Sequence, residues 1–123
     1  LFEGTLLENI TLGRPEIELE DVRWATAGLG LVAFIKSLDK GLETAVGPTT
    51  RPLSSSIVER ILLARSIVTR PRLLLLDDIF HLFDPKEREK IIDFLWDDHQ
   101  PWTLVAASNL ETIKTHSNLT IEL

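Results

Sequence analysis

Two carboxylates stand side by side at Asp77 and Asp78, directly after four consecutive leucines, Leu73 to Leu76. Four apolar residues in a row fit no amphipathic surface element. A run this short predicts a strand buried on both faces, as in parallel sheets. A carboxylate at the end of such a strand is well placed to hold a divalent cation through its water shell. A second polar group, Ser54-Ser55-Ser56, precedes a helical pattern. Serine caps a helix well, and Ser56 with Glu59 predicts a capping box. His81, His99 and His116 are the only histidines. His81 with Asp84 would make a metal pair, but further ligands are lacking, so a surface or packing histidine is expected. Trp24, Trp96 and Trp102 read as core or rim residues.

The elements that must position these groups follow from the periodicity. Thr5 and Glu8 predict a capping box and a short helix closed by Gly13. Pro15 with Glu16 and Glu18 predicts a second helix start, bearing Val22, Ala25 and Leu29 and interrupted by Gly28 and Gly30. Leu31, Phe34, Ile35 and Leu38 keep helical spacing up to Gly41. Residues 42–52 read as loop. A helix with Ile57, Ile61, Ala64 and Val68 on one face ends at Pro71. Asp84, Pro85 and Glu87 predict another helix, running to about Trp96. Thr103 to Ala107 is a second short apolar strand, a helical turn follows over Glu111 to Thr115, and a last strand is expected near Leu119 to Leu123. The alternation predicts an α/β fold with parallel pairing.

Composition sets outer limits. The chain has 123 residues, enough for one small domain, with 44% hydrophobic and 26% charged residues. Its net charge of -6 and the lack of a Lys/Arg cluster argue against a nucleic-acid surface. No cysteine is present, which excludes disulfides and thiolate metal sites. No apolar run is long enough to span a bilayer. The chain has no methionine and begins at Leu1, so a piece of a longer protein is expected.

The stretch LSSSIVERILLARSIVTRPRLLLLDD, residues 53–78, resembles the nucleotide-binding domain of ABC transporters. That family carries an LSGGQ signature, a helix with an ARA-like segment, a proline, and a Walker B strand ending in Asp-Glu. Leu53, Ser54, Arg60, Ala64, Arg65, Pro71 and Asp77 fall on the family's positions without a gap. Asp84 matches the D-loop aspartate, LFEGTLLENI resembles the segment after the Q-loop, and Thr44 to Gly47, TAVG, resembles the exporter-type loop before the signature. The resemblance covers essentially the whole chain. It implies an incomplete P-loop NTPase, a RecA-like ABC ATPase core, with residues 1–52 as helical subdomain and 53–123 as signature helix, Walker B strand and C-terminal part of the core. It further implies that the P-loop, the adenine-stacking aromatic and the Q-loop glutamine lie before Leu1.

The same resemblance implies the roles. Asp77 would hold magnesium through water, and Asp78 would sit at the catalytic base position, one methylene or about 1.5 Å short of the usual glutamate. A misplacement of that order can cost a hundredfold in rate. Asn109 would occupy the switch-histidine position, able to bond phosphate but not to shuttle a proton. Ser54, Ser55 and Ser56 would face ATP held by the opposite subunit, but Ser55, Ser56 and Ile57 replace Gly-Gly-Gln, and side chains obstruct close backbone approach. The D-loop reads HLFD in place of SALD, and Pro48 replaces an acid. ATP and magnesium are implied for the parent, with none expected on this chain alone. The implied partners are a second nucleotide-binding domain and a transmembrane domain, at the cytoplasmic face of a membrane. A degenerate ATPase coupled to export is expected; the alternative is a binding or regulatory module that kept the fold. Without the central P-loop strand, the strands at Thr103–Ala107 and Leu119–Leu123 would be left unpaired, favouring an edge-to-edge or exchanged dimer.

Overall fold

The computed structural model describes residues 1–122. The chain opens with a two-residue strand β1 (Gly4–Thr5) and helix α1 (Leu6–Thr11). The predicted capping box is present: Thr5 Oγ1 accepts the Glu8 amide at 3.0 Å, and Glu8 Oε2 accepts the Thr5 amide at 2.8 Å. Helix α2 (Leu19–Gly28) starts later than Pro15 and Glu16 suggest. Residues 14–17 are spent in turns, with the Ile17 amide bonded to the Arg14 carbonyl, and Asp21 Oδ2 accepts the Glu18 amide at 2.9 Å. Gly28 ends α2 against an aromatic ring; a Cβ there would lie 2.2 Å from Phe94. Helix α3 (Val32–Ser37) and a 3₁₀ turn at Gly41–Glu43 follow.

Part of the region expected to be loop is strand. β2 (Ala45–Val46) pairs antiparallel with β1, Gly4 opposite Val46 and Thr5 opposite Ala45. The turn after β2 folds over the Glu3 carboxylate, which accepts the Thr49 amide and hydroxyl, each at 2.6 Å, and the Thr50 hydroxyl at 2.5 Å. Gly47 (φ 151°) passes so close that a Cβ would sit 2.4 Å from Glu3 Oε2.

Helix α4 (Ser55–Ile67) begins one residue before Ser56, so the Ser56–Glu59 box is not the cap. Ser54 is, because its extended backbone (φ -64°, ψ 155°) directs Oγ to the Ile57 amide at 3.3 Å. Beyond the helix, Arg70 turns through φ 50°, lays its guanidinium over Trp24 at 4.2 Å and pairs with Asp21. Strand β3 (Leu73–Asp77) follows. A 3₁₀ turn (Phe80–Leu82) then leads to α5 (Pro85–Leu95), capped by Asp84 as predicted, before β4 (Thr103–Ala107) and α6 (Glu111–His116).

β3 and β4 pair in parallel, Leu73 opposite Thr103 through Asp77 opposite Ala107. The expectation of a strand buried on both faces does not hold. Leu74 and Leu76 are buried, but Leu73 is 54% exposed, Leu75 67% and Val105 55%. The inner face joins a core with Ile61, Ile67, Phe80, Ile91, Ile92 and Trp102. No described element covers the outer face. Residues 119–122 of the expected last strand form no strand, and Leu119 and Ile121 are exposed; Leu123 lies outside the described residues.

Candidate functional site

The C-terminal ends of β3 and β4 gather the chemistry-bearing residues. Asp77 is the last residue of β3 and is exposed. The Asp78 amide donates to the Ala107 carbonyl at 2.9 Å, extending the parallel ladder by one bond beyond the strand. That bond holds Asp78 beside the segment that runs from Ala107 through Ser108 to Asn109. The Ser108 hydroxyl accepts the Leu110 amide at 3.1 Å, which turns the chain from β4 into α6. Asn109 is exposed in this turn. Asp77, Asp78 and the turn bearing Asn109 thus lie at one end of the sheet.

His81 stands beside Asp78 and is exposed. Its Nδ1 is 3.7 Å from Asp78 Oδ1, too long for a hydrogen bond. The turn that presents it is fixed from below. Phe80 is fully buried, and Arg88 donates from Nε to the Phe80 carbonyl and from Nη2 to the Phe83 carbonyl, both at 3.1 Å. Asp84 Oδ1 accepts the amides of Lys86 and Glu87 at 3.0 Å each. These bonds, with that from Glu87 foremost, hold its carboxyl below the usual range.

The three serines sit at the start of α4, with Ser54 and Ser55 exposed. Ser56 connects to Asp84 through two residues, Arg60 and Glu87. Arg60 is buried; its Nη2 donates to Ser56 Oγ at 3.3 Å and its Nη1 to Glu87 Oε1 at 3.4 Å and to the Gly30 carbonyl at 3.0 Å. Glu87 in turn bonds Asp84 through its amide. Arg60 and Glu87 are 27 residues apart, so periodicity alone carries no sign of the pairing.

Among the described residues no group of three His, Cys, Asp or Glu side chains forms a metal cage. The donor set fits a magnesium ion that keeps most of its waters and shares phosphate oxygens, for which one carboxylate suffices. It does not fit a dedicated protein cage.

No family model matches the chain. Curated proteins do. ABC transporter B family member 13 of Arabidopsis thaliana is 32% identical over 123 residues, covering 98% of this chain and 10% of its own length. Multidrug resistance protein 1 of Plasmodium falciparum (isolate FC27 / Papua New Guinea) is 31% identical over 98% of this chain and 9% of its own. The multidrug efflux ATP-binding/permease protein of Mycobacterium bovis (strain BCG / Pasteur 1173P2) is 40% identical over 63% of this chain and 6% of its own. The chain spans about a tenth or less of the length of these relatives. Among solved structures, a bacterial Atm1-family ABC exporter with ATP bound superposes with a TM-score of 0.79 at 30% identity, covering 92% of this chain and 20% of that one.

Proposed function

We infer the function of a chain that is related to the ABC exporters across nearly all of its length. Its role is that of the Walker B and signature part of a nucleotide-binding domain, acting in a protein that couples ATP to export. The observation that carries this reading is the strand-end arrangement: the bond from the Asp78 amide to the Ala107 carbonyl holds Asp77 and Asp78 beside the turn bearing Asn109.

The residues divide the work as follows. Asp77 would hold the water shell of a magnesium ion, which would supply neutralisation of phosphate charge. Asp78 would stand at the base position with a side chain one methylene shorter than glutamate. Asn109 offers a hydrogen bond to phosphate and no proton transfer. Ser54 accepts the Ile57 amide through its oxygen, so its hydroxyl proton stays available for a phosphate oxygen. The amides of Ser55 and Ser56 lie in the first turn of α4, where helix donors lack intrahelical partners and favour anions. No GxxxxGK[ST] sequence occurs in residues 1–123, so the phosphate cradle is supplied elsewhere. The partners are a second nucleotide-binding domain and a transmembrane domain, at the cytoplasmic face of a membrane; no described helix is itself long and apolar enough to cross one.

A second reading, a binding or regulatory module without turnover, draws on the substitutions at Asp78, Asn109, Ser55, Ser56 and Ile57. The Ser56 hydroxyl is held by Arg60, which favours a structural use of that side chain. Magnesium-dependent nucleotide binding by the full-length protein tests the ATP-coupled reading. Asp77→Asn should weaken it about tenfold or more; magnesium-independent binding, or none, would refute that reading in favour of the second.

A further inference from the structure

We propose that His116 is a pH-sensitive latch that clamps α6 onto α5 and thereby fixes the turn carrying Asn109. Both ring nitrogens face acceptors: Nδ1 lies 2.7 Å from the Thr112 carbonyl oxygen, and Nε2 lies 3.0 Å from Asp93 Oδ1. A neutral imidazole has one N–H and can satisfy only one of them; the imidazolium satisfies both. The ring also stands edge-on to Trp96, with centroids 6.5 Å apart. From α5 it is faced by two carboxylates, Asp93 and Glu89, and from its own helix by the Thr112 carbonyl. The Thr112 bond raises the His116 pKa above its ordinary 6.5, followed by the bond to Asp93, with Glu89 adding; partial burial opposes them. Lys114 on the same helix is engaged by Glu122 and Glu111.

The consequence is local. Helix α6 has six residues and one buried side chain, Ile113, too little to hold it firmly without an added tether. It begins two residues after Asn109, so loosening α6 releases that turn. A raised folded-state pKa gives a contribution fully present below the unfolded pKa, near 6.5, and lost as pH rises through the folded value. The latch is therefore closed in mild acid and opens toward alkaline pH. The inference does not depend on nucleotide chemistry.

Site-resolved NMR on the 123-residue chain tests it. The measurements are the histidine ring titrations and the amide-exchange protection of Lys114 and Ser117 from about pH 5 to about pH 8. His116 should titrate above 6.5, and the protection factors in α6 should fall along the same curve while those in β3 stay level. Asp93→Asn should lower the His116 midpoint, and His116→Gln should remove the pH dependence of α6. A His116 midpoint at or below 6.5, or α6 protection that ignores the His116 titration, would overturn the latch.

Discussion

Truncating adjacent leucines of β3 separates the two faces of the sheet. Leu74 is 4% exposed and Leu75 67%. Leu74→Ala removes core packing and leaves a cavity, a change that costs about 2–5 kcal/mol. Only about a third of Leu75 is covered, so its truncation forfeits about a third of the roughly 1.5–3 kcal/mol of full burial, or about 0.5–1 kcal/mol. Lower strand propensity of alanine affects both positions alike. In urea, with a slope near 2 kcal/mol/M, the midpoint should drop by about 1–2.5 M for Leu74→Ala and about 0.25–0.5 M for Leu75→Ala. Equal costs at the two positions would refute the open outer face and mean that something covers Leu73, Leu75 and Val105 in solution. A midpoint for Leu75→Ala that rises with protein concentration, in step with the unmodified chain, would identify the cover as a second copy.

Three further outcomes follow from side-chain geometry. Ser54→Ala should destabilise the chain by about 0.5–2 kcal/mol through the lost α4 cap, while Ser55→Ala should change thermal stability little; the reverse order in a melting experiment would contradict the cap assignment. Arg60→Ala should cost about 1.5–3 kcal/mol in urea, because the buried Arg60 guanidinium is the charged donor to the Gly30 carbonyl and to Glu87; a cost near zero would show that the Ser56–Arg60–Glu87 link is idle. Glu3 is held down from 4.5 to about 2, chiefly by the Thr49 hydroxyl, then by Thr50 and the Thr49 amide. Its contribution is present above the unfolded value and lost as pH falls through about 2; a carboxyl ¹³C titration of Glu3 centred near 4.5 would contradict the clamp.

Where local rules governed, the sequence was a sound guide. Thr5 with Glu8 and Asp84 with Pro85 mark helix starts through bonds made within a few residues, and both are present. The placement of Asp77, Asp78 and the Asn109 turn at one sheet end follows from two apolar runs that pair in parallel, and each run is visible in the sequence as such. Local rules decide less where competing caps are close in sequence. Ser54 and Ser56 both suit an N-cap, and the backbone conformation at Ser54 decides; Pro15 yields to Glu18 and Asp21 because the intervening residues are needed for a turn. Burial of β3 on both faces does not follow from its leucines, because such a run reports hydrophobicity, not what is packed on each side. Leu119 and Ile121 alternate as a strand would, but pairing needs a neighbour that periodicity cannot supply. The Arg60–Glu87 contact joins α4 to α5 and exists only in the folded chain.

The measurement that tests the central claim most directly is ATP turnover by the full-length protein, before and after Asp78→Glu combined with Asn109→His. Slow, magnesium-dependent hydrolysis that rises when both side chains are restored is the expected result. Unmodified protein that already turns over at about 10 per second, or a double variant that hydrolyses no faster in a full-length protein whose P-loop is intact, would contradict the assignment of Asp78 and Asn109 to a weakened ABC-type site.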